Sequence, residues 1–320
     1  MDKRLLIHIG YHKTATTWMQ KLLFIPQNGY RQIADHSDVF SLIVKPHGLK
    51  FDPSLMQSFI TSSIPTLAKS EVPVISSEIL CGNPFFGGRE SDIYAERLHA
   101  IVPNARILIS IRSQMRILPS VYMQYLLRGG TMGYKKFFEG VNEPGYFAFN
   151  SDHFEYDRLI ALYQRLFGAD NVLVTSQESL KANMGAVAQN IADFSHNTTF
   201  EKLSKTAYRI HAASYPEHAV PILRRINHIQ KSQMNPAPLL NLGETPKGLY
   251  RAAGYILKRP PINPLFSSYK PVSNFVRNHF QGRFSESNAR LSELTQGSLD
   301  LSEYDGESSR HKKIHLGSNM

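Results

Sequence analysis

Short continuous apolar runs alternate along the chain with longer segments in which apolar residues recur every three or four positions. The runs are typical of buried strands and occupy residues 5–9, 30–34, 71–80, 105–112 and 171–175. Helical spacing fills most intervals between them, notably residues 52–69, 91–102, 113–128, 152–168 and 179–194. Buried strands separated by helices predict an α/β fold with a central, mostly parallel sheet and right-handed crossovers.

The periodicity loosens beyond about residue 200. Two basic and mostly helical pieces, residues 216–232 and 247–259, flank proline-rich turns, and residues 281–295 have the spacing of a terminal helix. We therefore expect one domain over residues 1–304 with a helical, basic insert at about 200–280. The last stretch, 305–320, is poor in apolar residues and predicts a disordered tail.

The first apolar run leads into the most informative stretch of the sequence. Gly10 ends the run, and Trp18 and the leucines after it then recur at helical spacing. Between them lie Lys13 and three threonines, Thr14, Thr16 and Thr17, where the first turn of a helix leaves backbone N–H groups without partners. A lysine and three hydroxyls at the positive end of a helix predict an anion site.

The spacing of this stretch excludes a nucleoside-triphosphate P-loop, which has Gly-x4-Gly-Lys-Ser/Thr, because Lys13 follows Gly10 by only three residues. The stretch instead resembles the phosphosulfate loop of the PAPS-dependent sulfotransferases, usually Lys-x-Gly-Thr-Thr-Trp. Ala15 replaces the usual glycine. A positive φ would strain an alanine, so we expect Ala15 to be the first helical residue. An ordinary capped helix after a strand is the alternative interpretation.

The resemblance implies a P-loop-like, three-layer α/β fold and a cofactor site formed by the whole loop. Lys13 would neutralise charge on the leaving 5′-phosphate of PAPS, 3′-phosphoadenosine-5′-phosphosulfate. Thr16 and Thr17 would hold the other phosphate oxygens, and Trp18 would stack on adenine. The residues assigned to the cofactor here are Lys13, Thr14, Ala15, Thr16, Thr17 and Trp18. No metal is expected, since a sulfuryl group carries less negative charge than a phosphoryl group.

Arg112 ends the most continuous apolar run, and Ser120 lies eight residues further on in the following helical segment. This pair resembles the sulfotransferase element that binds the 3′-phosphate of the cofactor, although Ser113 and Gln114 replace the usual Asn-Pro. A guanidinium fork matches a phosphate dianion in a bidentate manner, and the hydroxyl adds a donor. Arg116 either assists or faces solvent.

Glu78 is the candidate catalytic base because it follows the third apolar run, at the strand end where ligand-facing groups emerge. An acceptor hydroxyl loses its proton during sulfuryl transfer, and a carboxylate can take it. The position resembles the catalytic glutamate of the heparan-type branch. A structural role as a capping partner is the alternative for Glu78. His12, beside Lys13, is a rival base or a second phosphate donor.

The C-terminal helical pattern resembles that of bacterial and heparan-type members, in which a basic loop upstream covers the cofactor. Lys258, Arg259 and Lys270 are therefore candidates for that cover, with ordinary exposed cations as the alternative. Residues 200–280 otherwise carry no motif that we can name.

The chain has 320 residues, 42% of them hydrophobic, and a net charge of +10, which favours anionic ligands or surfaces. It has no nucleic-acid-binding motif. The single cysteine, Cys81, excludes an internal disulfide framework and predicts a small buried side chain. The first strand begins within a few residues of Met1 and no apolar run is long enough to span a bilayer, which predicts a cytoplasmic protein. Peripheral contact with a membrane through a lipid-linked acceptor stays open.

Together these features predict a sulfotransferase that moves a sulfuryl group from PAPS to a hydroxyl or amine. The acceptor is open between a saccharide, a glycolipid and another small molecule. The alternatives are an ATP-dependent kinase with a degenerate P-loop, which would require magnesium, and a non-catalytic anion-binding protein with the same fold.

Overall fold

A five-stranded parallel sheet lies at the centre of the fold, in a computed structural model that describes residues 4–140, 148–209, 215–238, 240 and 242–304. The strand order is β2-β3-β1-β4-β5, and each neighbouring pair is parallel. The bounds are β1 Leu6–His8, β2 Tyr30–Ala34, β3 Val72–Ser76, β4 Arg106–Ile111 and β5 Val172–Ser176. The predicted α/β fold with a central parallel sheet is confirmed.

Helices flank this sheet and continue beyond it along the chain. Their bounds are α1 Thr16–Trp18, α2 His36–Val39, α3 Pro53–Ser63, α4 Ser91–Ile101, α5 Gln114–Leu127, α6 Tyr134–Phe138, α7 Tyr156–Phe167, α8 Gln177–Ala182, α9 Met184–Phe194, α10 Val220–Ile229, α11 Gly248–Leu257, α12 Ile262–Phe266, α13 Pro271–His279 and α14 Ser285–Leu294. A π-helix, Met19–Leu23, continues α1 directly.

The first strand of the chain occupies the middle of the sheet. Ile7 of β1 aligns with Ile75 of β3 on one side and with Ile107 of β4 on the other, and all three side chains are buried. From β1 the chain crosses to the edge strand β2, returns to β3 beside β1, and then adds β4 and β5 on the opposite side, so that the direction of winding reverses at β1. Ligands of open α/β sheets bind outside the carboxyl ends of the strands at such a switch point. Here that place is beyond His8 and Ile111.

A continuous apolar cluster fixes α1 and its π-helical extension onto one face of the sheet. Met19 and Leu23 pack with Leu6 of β1 and Val74 of β3, and α9 contributes Ile191 to the same cluster. Each of these side chains is almost completely buried. Burying a side chain of this size stabilises the fold by about 1.5–3 kcal/mol, so the segment after the loop is held firmly against the sheet.

The chain divides into two compact units. The first contains the sheet and comprises residues 1–112, 152–211 and 286–300, and the second comprises residues 113–151, 212–285 and 301–320. Within the first unit, the buried carboxylate of Asp157 on α7 accepts hydrogen bonds from Arg290, at 2.7 Å, and from Ser287, both on α14. This charge-assisted pairing attaches the terminal helix to the unit that holds the sheet.

Aromatic side chains dominate the interior of the second unit. Phe137 packs against Tyr125 with ring centroids 4.8 Å apart, and Phe138 packs against Phe280 at 5.7 Å. A smaller cluster joins α10 and α11 through Leu223 and Tyr250. The prediction of a single domain over residues 1–304 with a basic insert stays a prediction, and the predicted tail, residues 305–320, lies outside the described residues.

Several predicted boundaries differ from those of the structure. The predicted helix over 179–194 is two helices, because the Asn183 side chain accepts a hydrogen bond from the Ala186 N–H and caps α9 at that point. The predicted helix over 52–69 ends as an α-helix at Ser63 and continues only as a short 3-10 turn that contains a proline. The third apolar run is a strand only as far as Ser76.

Within the described ranges, no helix is both long enough and apolar enough to cross a membrane.

Candidate functional site

The loop that follows β1 turns between β4 and the segment that carries Glu78. The Tyr11 N–H donates to the Ser110 carbonyl at 2.6 Å, and the Ser110 N–H donates to the Gly10 carbonyl at 2.7 Å. Gly10 has φ +90°, and a Cβ built on it would lie 3.0 Å from both Cα and Cβ of Glu78. The close approach and the positive φ together require glycine at this position.

Two residues without the freedom of glycine also have positive φ in this loop. Lys13 has φ +66° and Ala15 has φ +72°. Ala15 is the N-cap of α1, and the helix begins at Thr16, so the expectation that Ala15 is the first helical residue is wrong. Left-handed backbone costs such residues about 1–2 kcal/mol each. Strain of this kind persists where the surroundings impose it, often at ligand sites.

A buried chain of hydrogen bonds crosses three strands directly beneath the loop. The Thr14 hydroxyl donates to the Tyr11 carbonyl at 2.6 Å and lies 2.6 Å from the Ser110 hydroxyl. The two imidazole nitrogens of His8 lie 2.9 Å from the hydroxyls of Ser110 and Ser76. We name this set, Ser76, His8, Ser110, Thr14 and the Tyr11 carbonyl, the hydroxyl–histidine chain. It ties the loop to β3, β1 and β4.

Each donor in the hydroxyl–histidine chain follows from its neighbour. Because the Thr14 hydroxyl donates its proton to the Tyr11 carbonyl, it accepts a hydrogen bond from the Ser110 hydroxyl. Ser110 then accepts from the Nε2–H of His8, whose Nδ1 accepts from Ser76. This arrangement needs a neutral imidazole. Complete burial supplies it, lowering the pKa of His8 from 6.5 to about 3.

The prediction that three threonine hydroxyls converge on one anion is wrong for Thr14. Its hydroxyl points into the sheet and is used by the hydroxyl–histidine chain, so only its backbone N–H is left to serve a ligand. The hydroxyl of Thr16 lies 3.4 Å from the Tyr11 carbonyl, and Thr17 is exposed. Sequence reasoning missed His8 and Ser110, although a histidine within an apolar strand was a visible signal.

Lys13, Arg112 and Glu78 meet beyond the carboxyl ends of β1, β4 and β3. An Nη of Arg112 donates to the Lys13 carbonyl at 3.4 Å. Burial lowers the pKa of the Lys13 ammonium, the nearby Arg112 lowers it further, and the Glu78 carboxylate acts in the opposite direction. The three strands adjoin in the sheet, which places two cations and one carboxylate at its switch point.

Two buried tyrosines support the end of β4. The Tyr156 hydroxyl donates to the Arg112 carbonyl at 2.7 Å. The ring of Tyr156 packs edge-on against that of Tyr11 with centroids 4.8 Å apart, and both side chains are almost completely buried. Tyr156 therefore fixes the main chain from which the Arg112 guanidinium extends. The sequence offered no signal for it, since it begins an ordinary helix, α7.

Glu78 and His12 both contact the sulfur of Cys81. Glu78 is half-buried and begins a 3-10 turn, Glu78–Cys81, two residues after β3 ends. The Cys81 thiol donates to the Glu78 carbonyl at 3.0 Å, and its sulfur lies 3.6 Å from His12 Nδ1. Cys81 is completely buried, which raises the pKa of its thiol, so its predicted role as a small buried side chain is confirmed.

The remaining predicted site residues are placed as follows. Trp18 is half-buried, and its indole N–H donates to the Ala207 carbonyl at 2.7 Å, which fixes one edge of the ring. Ser120 lies on α5, in the second unit, whereas Arg112 belongs to the first, so the pairing of these two stays a prediction. Arg116 forms an exposed ion pair with Glu303 at 2.6 Å.

The basic residues predicted to cover the cofactor all lie in the second unit. Lys258 directly follows α11, Lys270 directly precedes α13, and the guanidinium of Arg259 stacks on the Tyr255 ring at 3.7 Å from its centroid. Their role at the cofactor stays a prediction. Among the residues that the structure describes, no group of three or more His, Cys, Asp or Glu side chains is arranged to hold a metal ion.

The sheet order and the switch-point loop, with Lys13 in the loop and Arg112 at the end of β4, define an α/β protein with a P-loop-like fold. No protein-family model matches the sequence, and no curated protein matches it. Among solved structures, the chain is similar to a sulfotransferase from Alicyclobacillus acidocaldarius. The identity is 13%, the match covers 93% of this chain and 98% of that one, and the TM-score is 0.51.

A second solved structure also matches, mouse sulfotransferase SULT7A1 complexed with PAP. The identity is 10%, the coverage is 91% of this chain and 89% of that one, and the TM-score of 0.37 is too low to support an argument. At 13% identity, the first likeness shows the fold alone. The chain therefore has a sulfotransferase-type α/β fold, and its chemistry has to be inferred from its own residues.

Proposed function

We propose that the protein is a PAPS-dependent sulfotransferase that transfers a sulfuryl group to a hydroxyl or amine of an acceptor. One observation carries this proposal: Lys13, Arg112 and Glu78 emerge together beyond three adjacent parallel strands. Two neighbouring cations at a switch point suit a polyanionic ligand, and a carboxylate beside them suits proton transfer.

The donor set of the loop fits a phosphosulfate. Helix α1 begins at Thr16, so the N–H groups of Thr16 and Thr17 point out of its first turn without helical acceptors. The Lys13 ammonium adds a compact charge, and the left-handed backbone at Lys13 and Ala15 sets the direction of the loop. The hydroxyl–histidine chain holds this backbone from below.

Arg112 would hold the second phosphate of the donor. Its guanidinium offers a planar fork that suits a phosphate dianion, and Tyr156 fixes the carbonyl of the same residue. Ser120 would add a hydroxyl to the same phosphate, and Trp18 would present the free part of its indole to the adenine. The assignments of Arg112, Ser120 and Trp18 extend the resemblance to the positions that match it.

When bound, PAPS would supply an activated sulfuryl group on a phosphate leaving group. Glu78 would accept the proton of the acceptor as the new bond to sulfur forms. Lys13 would stabilise the electron pair that the bridging oxygen keeps as its bond to sulfur breaks. His12 directly precedes Lys13 and is the competing base, although its Nδ1 lies 3.6 Å from the buried Cys81 sulfur.

The acceptor is a hydroxyl or amine of a saccharide, a glycolipid or another small molecule. The segment after Glu78 contributes a 3-10 turn, Pro84–Phe86, in which Phe86 is exposed. An exposed aromatic ring on this segment would suit the apolar face of a sugar or an aromatic alcohol. Assignment to the heparan-type branch rests on the placement of Glu78 after β3.

Ligand-dependent thermal unfolding tests the proposal. Adenosine 3′,5′-bisphosphate should stabilise the chain, by roughly 2.7 kcal/mol at a hundredfold its dissociation constant, whereas ATP with Mg²⁺ should not. Stabilisation by ATP with Mg²⁺ alone would favour the kinase. If the bisphosphate binds but labelled PAPS transfers nothing to saccharide, lipid and phenolic acceptors, the non-catalytic alternative is favoured.

A further inference from the structure

Exposed apolar side chains are concentrated in one part of the second unit. Of the fifteen large hydrophobic side chains that are exposed in the described chain, eight lie between residues 240 and 269. Six of these belong to α11, α12 and the turn after α12, and we name them with their neighbouring cations the α11/α12 surface. They are Leu249, Tyr255, Ile256, Leu265, Phe266 and Tyr269.

Helix α11 is apolar on two opposite faces. Its inner face carries Tyr250 and Gly254, and a Cβ at Gly254 would lie 2.3 Å from the Tyr215 ring, so this face is closely packed. Leu249 and Ile256, seven residues apart, share the outer face with 46% and 58% of their surfaces exposed. A helix of a water-exposed surface normally places polar residues there.

Helix α12 and the turn after it carry further exposed apolar side chains. Leu265 is 72% exposed, and Phe266 and Tyr269 are 50% and 55% exposed. Single exposed apolar residues are common, but six between residues 249 and 269 indicate an interaction site. The aliphatic and aromatic side chains are mixed, which is typical of segments that lie at a lipid–water boundary.

The charge of this part of the chain has one sign. Residues 245–285 contain seven lysines and arginines and no aspartate or glutamate. Arg251, Lys258, Arg259 and Lys270 border the exposed apolar side chains, and Arg259 stacks on Tyr255 at 3.7 Å from the ring centroid. A field of one sign attracts a polyanionic surface, and each cation strengthens the attraction.

We propose that the α11/α12 surface docks the protein onto an anionic lipid bilayer. The apolar side chains would enter the boundary between headgroups and acyl chains, and the cations would contact lipid phosphates. A nucleic acid would bind the cations, but it would not bury the apolar side chains of Leu249, Ile256 and Leu265. Helix α11 has 10 residues, about 15 Å, so it would lie along the bilayer rather than cross it.

This inference goes beyond the proposed sulfuryl transfer and does not depend on it. The test uses the full chain with vesicles of phosphatidylcholine that contain about 30% phosphatidylglycerol, compared with vesicles of phosphatidylcholine alone. Co-sedimentation should show binding to the anionic vesicles only. Raising the salt to about 0.5 M should weaken it, because exposed charges are then screened over a few ångströms.

Paired variants separate the apolar and the charged contributions. Leu265→Glu with Phe266→Glu should abolish binding, because it places charge where the bilayer is entered. The matched control, Leu49→Glu with Leu55→Glu, alters side chains that are 92% and 57% exposed in the first unit and should bind like the parent. Circular dichroism of each variant checks that the fold is retained.

Charge is tested by replacing two cations of the surface. Arg251→Gln with Lys270→Gln should weaken vesicle binding roughly 30-fold, whereas Lys135→Gln with Lys136→Gln, which removes two exposed cations of α6, should change it little. Equal losses in both pairs would indicate net charge alone and overturn the proposal.

Three further results would also overturn it. The first is equal binding to neutral and anionic vesicles. The second is that the parent binds no vesicles but forms a dimer, which the variant with Leu265→Glu and Phe266→Glu does not form. The third is loss of adenosine 3′,5′-bisphosphate binding with vesicle binding intact in the Arg251 and Lys270 variant, which would assign these cations to the cofactor. Because bisphosphate binding is measured separately, failure of the proposed function can be distinguished from failure of the membrane-docking proposal.

Discussion

Buried histidines should make the fold sensitive to mild acid. The pKa of His8 is lowered by burial from 6.5 to about 3, and that of His153, also buried, to about 4. In the unfolded chain both imidazoles bind a proton below pH 6.5, whereas in the folded chain they stay neutral. The unfolded state then holds more protons than the folded state. The free energy of unfolding therefore has its full value above pH 6.5 and decreases as the pH falls toward 3.

The size of the effect follows from the two pKa values. At pH 5, the solution is 1.5 units below the pKa of 6.5 that each imidazole has in the unfolded chain. Proton binding to the unfolded chain therefore lowers the free energy of unfolding by about 2 kcal/mol for each histidine. The result depends little on the folded pKa as long as that value is near 4 or lower. Together His8 and His153 should cost about 4 kcal/mol at pH 5, out of a typical 5–15 kcal/mol.

Urea unfolding at pH 8 and at pH 5 measures this loss. Trp18 is the only tryptophan and lies in the unit that contains both histidines, so its fluorescence reports the relevant transition. His8→Gln keeps a donor for the Ser110 hydroxyl but removes the titrating group. Between pH 8 and pH 5, the free energy of unfolding of this variant should therefore decrease by about 2 kcal/mol less than that of the parent, whatever its value at pH 8.

The matched control is His228→Gln, which removes an exposed histidine of α10. It should keep the pH dependence of the parent, because the buried imidazoles of His8 and His153 are both retained. If His8→Gln loses as much stability between pH 8 and pH 5 as the parent does, His8 is not a neutral, buried link, and the donor order of the hydroxyl–histidine chain is wrong.

Three further predictions concern the loop and the candidate site. Ala15→Gly should raise the free energy of unfolding by up to about 1 kcal/mol by relieving the left-handed strain, whereas Ala252→Gly in α11 should lower it by about 1 kcal/mol, both by urea unfolding. Arg112→Ala should weaken bisphosphate binding by about 1.5–3 kcal/mol in calorimetry, and the exposed-site control Arg165→Ala should not. Glu78→Gln should keep bisphosphate affinity but reduce turnover of labelled PAPS by roughly 10²–10⁴-fold.

Each of these has a contrary result. A loss of stability in the Ala15 variant equal to that of the Ala252 variant would show that the loop backbone is unstrained. Unchanged bisphosphate affinity without the Arg112 side chain would remove the 3′-phosphate assignment. Turnover within a few-fold of the parent in the Glu78 variant, with an inactive His12→Asn variant, would assign the base to His12.

The sheet was predictable because each buried parallel strand is a continuous apolar run. The runs at 5–9, 30–34, 105–112 and 171–175 each contain or closely match an observed strand. The position of Glu78 was predictable for the same reason, since polar residues that follow such runs emerge at the carboxyl edge of the sheet. Its role as a base and the role of Lys13 at the phosphosulfate stay predictions.

The details of the loop were not predictable, because tertiary contacts decide them. Ala15 is held at a positive φ that its side chain disfavours. The local preference of alanine alone predicts helical backbone at this position. The Thr14 hydroxyl turns inward because β4 presents Ser110 beneath it, and these two residues are 96 apart in sequence. Helices α12 and α13 were missed because the proline-rich segments around them hide the helical spacing.

The central position of β1 also determines when the sheet can assemble during synthesis. The strand is made first, yet its two neighbours end at Ser76 and Ile111, and the far edge of the sheet is complete only at Ser176. At about 5–20 residues per second, the apolar β1 waits many seconds for its partners. Parallel pairing over such sequence distances is slow, so nascent chains should depend on protection of this segment until β4 emerges.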